Sequence, residues 1–201
     1  MGSGSMQIGE YSFDDFCEKV RRFHGSPAPG VLIGGYMVEL ARRSLPAGVL
    51  FEAICETRAC LPDAVQLLTP CTLGNGRVRV IHVGRYALSL YDKTTGAGAR
   101  TFVDAGRLSA WPELRAWFMK ERPKAEQDGK RLLSEIRSAG EGILGIRQVS
   151  VDLRQLGFKK IGPVMPCQVC GEAYPASDGE ICGGCAGKLP YVQEVDAGPV
   201  G

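Results

Sequence analysis

The order of segments predicts an α+β fold, with helices packed on a mainly antiparallel sheet, followed by a small C-terminal four-cysteine module. Two helical patterns come first, then strands joined by short turns, then helical segments and one last alternating run, so helices and strands are segregated. The third observation is the pair Cys167-x2-Cys170 and Cys182-x2-Cys185, a spacing that brings four thiolates onto one metal ion. The core is expected over residues 6–160 and the module over 161–190, with Met1–Ser5 as an expression scar and 191–201 as a loosely ordered tail.

Taken in order, Ser12 with Asp15 three residues on makes a capping-box-like start, and Phe13, Phe16, Cys17, Val20 and Phe23 recur at helical spacing. This first helix should end near His24 and Gly25. Pro29 and Gly30 open a second helical segment that runs through Met37, Leu40, Ala41 and Leu45. Gly30, Gly34 and Gly35 lie at or near its start, where a missing side chain allows close backbone approach or exposes amides to an anion. Gly48–Glu56 reads as a buried strand. Arg77–His82, Tyr86–Asp92 and Ala99–Asp104 follow as three successive strands, predicted to form an antiparallel meander. Pro112–Ser138 is helical but interrupted by Pro123, which predicts two pieces. Arg147–Leu153 alternates again and should return to the sheet.

Composition bounds the function. The 201 residues can hold one good-sized core plus an appendage. A net charge of +2 gives no electrostatic reason to invoke nucleic acid or a membrane surface. With no long apolar run and no basic start before an apolar core, the chain reads as cytoplasmic. Cysteine pairs in such a chain favour metal over disulfides.

The stretch Cys55–Gly76 concentrates special chemistry: Cys55, Cys60 and Cys71, a helix start and a glycine turn. Pro62 and Asp63 are the start signal, with Pro at the first position and a carboxylate facing the positive end of the peptide dipoles. Cys60 lies just ahead of that helix, a setting that can lower a thiol's pKa. Cys71 lies beyond the other end, roughly 10 Å away along the axis, so the two sulfurs are not expected to share one metal within a chain. The alternative is that all three are small buried apolar residues.

In the C-terminal module, Gly171, Gly183 and Gly184 allow the tight turns that paired thiolates demand. Four cysteines leave zinc no open position, so the metal is expected to fold a segment too small to bury its own core, with an iron cluster or a rubredoxin-like iron as the alternative to zinc. Lys188 is the lone cation nearby, which makes protein a better partner for it than nucleic acid.

Phe23-His24-Gly25 followed by Pro29-Gly30 and Gly34, then Glu56-Thr57, Cys60, Asp63-Ala64 and Gln66, then Cys71-Thr72 and Gly74-Asn75-Gly76, then Gly84 and Ala87, resemble the FmdE family. The family takes its name from one of the subunits of formylmethanofuran dehydrogenase. The resemblance covers about residues 12–155, and the four-cysteine module resembles the treble-clef zinc finger that some members carry. It implies an α+β homodimer with a metal- or ligand-binding cleft lined by the histidine and cysteine positions, here His24, Cys60 and Cys71, with Asp63 and Gln66 among the matched residues. It also implies a link to molybdenum or tungsten enzymes of one-carbon metabolism. Ser26 stands where members commonly carry a second histidine, and Ala28 where they often carry a cysteine.

Three functional readings follow. In the first, His24 and Cys60 meet at the mouth of the core as a metal- or cofactor-binding site open to groups from a second subunit, with a backbone carbonyl or a carboxylate such as Asp63 fixing the imidazole. A second metal or ligand would then sit in the core beside the structural zinc of Cys167, Cys170, Cys182 and Cys185. In the second, Cys60 is a nucleophile with His24 as base, and Gln66 or the Gly74–Gly76 amides stabilise an oxyanion. In the third, the chain is a scaffold or regulatory protein whose zinc module recruits a protein partner.

Overall fold

A computed structural model of the chain describes residues 7–157 and 162–191. The expression scar expected at Met1–Ser5 and nearly all of the tail lie outside the described residues. Contacts divide the chain into two units, residues 1–155 and 156–201.

The first unit opens with α1 (Phe13–His24). Ser12 caps it by accepting from the Asp15 N–H at 3.2 Å, and Gly25, at φ 90°, turns the chain out of it. Its Phe13, Phe16 and Val20 face inward. The second helix, α2 (Pro29–Arg43), is buried over most of its circumference, as befits a central element with apolar residues all round. Two glycines explain how other helices approach it. A Cβ on Gly34 would lie 2.7 Å from Ala64 Cβ, and one on Gly35 would lie 2.6 Å from Phe16 Cε1. Close helix packing, rather than anion binding, is the use these positions serve.

The sheet has five strands, β1 (Phe51–Cys55), β2 (Val78–Val80), β3 (Ala87–Asp92), β4 (Ala97–Val103) and β5 (Leu144–Ser150), in the order β2-β1-β3-β4-β5. β1 (Phe51–Cys55) leads through a short loop into α3 (Leu61–Leu68), and the chain returns as β2 (Val78–Val80) parallel to β1. This corrects the expected three-strand meander. β2 does not neighbour the next strand; it lies at the edge, while β3 (Ala87–Asp92) pairs antiparallel on the other side of β1. The reason is α3, which turns the connection into a crossover and so permits parallel pairing. Beyond β2, the Ile81 N–H still donates to Cys55 O at 3.0 Å and the Val83 N–H to Glu56 O at 3.1 Å. β3 and β4 (Ala97–Val103) form the expected hairpin, closed at Gly96 (φ 77°) by its N–H on Asp92 O at 2.8 Å. The remaining pairs are antiparallel, so the sheet is mainly antiparallel and the fold is α+β.

The helical stretch after β4 is broken as Pro123 predicted, into α4 (Pro112–Phe118) and α5 (Gly129–Ala139). The second piece starts later than its pattern suggested, because Asp128 caps the Lys130 and Arg131 amides at 3.0 Å each and leaves Ala125 in a turn. β5 runs over Leu144–Ser150, three residues earlier than expected. A tight turn at Gly140–Ile143 delivers the chain straight to the sheet, where Leu144 and Gly145 pair with Val103 and Phe102. α2 packs on this sheet, with Thr101 Oγ1 donating to Met37 O at 3.1 Å. No helix among the described residues is long and apolar enough to cross a membrane.

The second unit holds an antiparallel pair, β6 (Val164–Pro166) and β7 (Ala173–Pro175). The turn between them is closed by the Gly171 N–H on Cys167 O at 2.9 Å and the Cys167 N–H on Glu172 O at 2.8 Å, with Gly171 at φ 78°.

Candidate functional site

The zinc-type cluster is built by two turns. One follows β6 and carries Cys167 and Cys170; the other, after Ile181, carries Cys182 and Cys185. The four sulfurs lie within 4.8 Å of one another. Cys170 and Cys182 are 3.7 Å apart at Sγ, and four thiolates about 2.3 Å from a tetrahedral zinc would stand about 3.8 Å apart. The Cys182 N–H points at Cys167 Sγ and the Cys185 N–H at Cys182 Sγ, each at 3.4 Å. Backbone amides of Cys182, Cys170 and Val169 pull the Cys167 thiol down to about 6. Hydrogen bonding to the Cys170 and Cys182 sulfurs pushes Cys185 up to about 12. The Cys167 thiolate forms readily while Cys170 and Cys185 resist ionisation, so the cluster suits a dication, which stabilises adjacent thiolates and offsets half of the charge of four. With four protein ligands the ion would be structural.

The core cluster is built around the first turn of α3. Cys60 immediately precedes this helix at φ 59° and ψ −42°, outside the ordinary regions for a side-chain-bearing residue. The helix begins at Leu61, so Pro62 is its second residue and Asp63 still falls in the first turn. His24, the last residue of α1, meets Asp63 across 2.6 Å from Nδ1 to Oδ2, with both side chains about 30 % exposed. A carboxylate only accepts, so Nδ1–H is the donor here, and in the neutral imidazole the lone pair falls on Nε2.

Cys60 differs from the expectation set by its position. Its thiol is raised above the ordinary value, first by burial and then by the Asp63 charge, against the smaller opposing pull of Lys120 and the Val31 amide. Burial outweighs the helix dipole, which acts within only about one turn of a short helix.

Tyr86, Gly30 and Lys120 complete the surroundings, and sequence reasoning assigned none of them a role at a site with Cys60. Tyr86, on the approach to β3, donates its hydroxyl to Gly30 O at 2.7 Å and packs edge-on against Phe118, 5.7 Å between ring centroids. Burial holds its hydroxyl well above the usual tyrosine range. A Cβ on Gly30 would stand 2.6 Å from that hydroxyl and 2.8 Å from Cys60 Sγ. The Pro29-Gly30 pair was the one available signal, since it marked a close backbone approach without saying to what.

The other candidates have different engagements. Gln66 Oε1 accepts the Leu73 N–H at 3.1 Å. Cys71 is buried, donates to Phe51 O at 3.3 Å and is raised by burial. Cys55 is likewise buried and pushed up to about 12. The Gly74–Gly76 turn is held by Asn75, whose Oδ1 accepts from Thr72 at 2.9 Å and Arg77 at 3.1 Å. His82 lies exposed beyond β2. Among the described residues, the group of three or more potential ligands within mutual reach is the four-cysteine cluster. His24, Asp63 and Cys60 of one chain do not all converge on a single ion-sized point.

Comparison with known proteins fits this division. The family model described as FmdE, Molybdenum formylmethanofuran dehydrogenase operon, matches residues 23–151. The model described as FmdE treble clef zinc finger matches residues 159–192. A crystal structure of a tungsten formylmethanofuran dehydrogenase FmdE-like protein from Syntrophus aciditrophicus is similar at 52% identity and a TM-score of 0.86, covering 94% of this chain and 99% of that one. A probable S-adenosyl-L-methionine-binding protein of Archaeoglobus fulgidus is 29% identical over 197 residues, 85% of this chain. The chain spans about half the length of that curated relative, 52%. A core that matches one family model and a four-cysteine module that matches its zinc-finger companion place the chain in the FmdE family.

Proposed function

We propose that this chain is a metal- or cofactor-binding accessory protein linked to molybdenum or tungsten enzymes of one-carbon metabolism, acting in the cytoplasm as a homodimer. The observation that carries the reading is the 2.6 Å contact between His24 Nδ1 and Asp63 Oδ2. A carboxylate behind an imidazole is the arrangement that fixes tautomer and basicity for coordination through the other nitrogen. His24 and Cys60 would supply two donors suited to a borderline-soft ion. Because His24, Asp63 and Cys60 do not converge within one chain, the remaining donors come from the bound cofactor or a second copy. The likeness to a tungsten formylmethanofuran dehydrogenase FmdE-like protein supports the enzyme link. None of the eight cysteines is in a disulfide, which suits a reducing compartment.

Metal analysis of anaerobically purified full-length protein tests it. Two ions per chain, one of them lost in His24→Ala, is the expected result. One ion per chain in both proteins overturns the metal form of the reading.

A second reading is favoured by the backbone of Cys60. Its φ of 59° at a junction between a strand and a helix is the kind of stored strain that accompanies a nucleophile. Exposed Val169, Leu189 and Tyr191 support a protein partner for the zinc module.

A further inference from the structure

Away from the His24 cluster, α2 carries an acidic residue whose environment is incomplete. Glu39 is 4% exposed, one turn from the C-terminal end of that helix. Its Oε2 accepts from Arg42 Nη2 at 2.7 Å, while its Oε1 is buried without a hydrogen-bond partner. A buried carboxylate oxygen without a donor is costly and rare. Glu39 lines a cavity of about 240 Å³ together with Gly9, Glu10, Arg42 and the apolar Tyr11 and Leu68. Tyr11 and Leu67 also line a larger open groove of about 640 Å³ that continues to Phe23. The free oxygen lies directly beneath the turn at Gly9, since a Cβ there would stand 3.3 Å from Oε1 and 3.4 Å from Leu68 Cδ2.

The geometry points to a binding site for a primary alkylammonium group, its charged head on Glu39 Oε1 and its methylene chain along Tyr11, Leu67 and Leu68. Three features choose this ligand. Oε1 calls for a donor, because it is a carboxylate oxygen that only accepts. The cavity is lined by two carboxylates, Glu39 and Glu10, against one guanidinium, Arg42, which favours a cation. Arg42 already holds the second oxygen, so a guanidinium could not pair bidentately, whereas a compact ammonium needs one oxygen only. Oε1 is sealed from solvent, so entry of the ligand requires the turn at Gly9 and Glu10 to lift. That turn is a short two-bond hairpin between Ile8 and Tyr11, and Glu10 at its tip is exposed. The site shares no residue with the His24 cluster and does not rest on its reading.

Calorimetric titration of the zinc-loaded full-length protein with n-butylammonium tests the proposal, with tetramethylammonium as a cation that has no N–H. Saturable binding of n-butylammonium, at least about tenfold weaker for tetramethylammonium and for Glu39→Gln, is expected. Gly9→Ala, which crowds Oε1, should weaken binding too, and it serves as the second variant should Glu39→Gln fail to fold. No saturable heat with the native protein, or equal binding to the variants, overturns the proposal. Spermidine and Nα-acetyl-lysine amide separate the sources: tighter binding of the first assigns a free polyamine, and of the second a lysine side chain on a protein.

Discussion

Gly30 and Cys60 approach so closely that a single added carbon on Gly30 would stand 2.8 Å from Cys60 Sγ. Tyr86 presses on the same glycine from its hydroxyl end, 2.6 Å from that carbon. Gly30→Ala should therefore destabilise the core by about 1–3 kcal/mol, the usual cost of overpacking. It should also displace Cys60 and change its alkylation rate. Denaturant unfolding and iodoacetamide kinetics on the same preparation check both effects.

Cys60 itself should alkylate as a thiol harder to ionise than a free one. Burial and the Asp63 charge both raise it, so its half-maximal rate should fall above pH ~8.5, the free-thiol value. Asp63→Asn removes a negative charge beside the sulfur and should move the midpoint down. A native midpoint below that of free cysteine would contradict the account of the site and favour an activated nucleophile.

Glu56 gathers two arginines. Arg100 donates to both its oxygens, at 2.6 and 2.9 Å, and Arg85 adds a third bond at 2.6 Å. These bonds, Arg100 first, hold the carboxyl below its ordinary range against the opposing effect of burial. A depressed folded-state pKa contributes stability that is present above the unfolded value near ~4.3 and lost as pH falls through the lower folded value. Glu56→Gln should lower stability by about 2 kcal/mol at pH 7. It should also flatten the decline of Tm below pH 5, read from thermal melts across pH 3–7.

Zinc removal should act on one unit. The four-cysteine module has little buried apolar surface, so its order depends on the ion. A chelator should abolish amide-exchange protection at Cys167, Cys170, Gly171, Cys182 and Cys185. Protection in α2, β3 and β4 should be kept. Loss of protection throughout the chain would mean that the core also depends on the metal.

Much of this was legible in the residues because the signals were local. Ser12 and Gly25 bracket α1, Pro123 divides α4 from α5, and the two cysteine pairs carry their spacing with them. The errors came where tertiary pairing decides. Nothing in Arg77–His82 distinguishes a strand that pairs parallel beside β1 from one that continues a meander, since the alternation is the same. Asp63 is legible as one carboxylate that could hold His24, because a ligating imidazole is commonly held through its other nitrogen. Tyr86 was not visible as a neighbour of Cys60, because its contact is with a backbone carbonyl fifty-six residues earlier. The thiol pKa could not be read either: the helix position was correct, but the burial that outweighs it is a property of the assembled core.

The parallel pairing of β1 and β2 has a consequence for how this scaffold could diversify. Both strands end at the same rim, and the segment between Cys55 and α3 hangs there like a replaceable tool head. The exposed Arg58 and Ala59 could be rewritten or the loop lengthened between them while Ala53 stays paired with Val78, Cys55 with Val80, and Glu56 and Cys60 keep their contacts. New chemistry could thus be tried at the rim without re-threading the sheet beneath it.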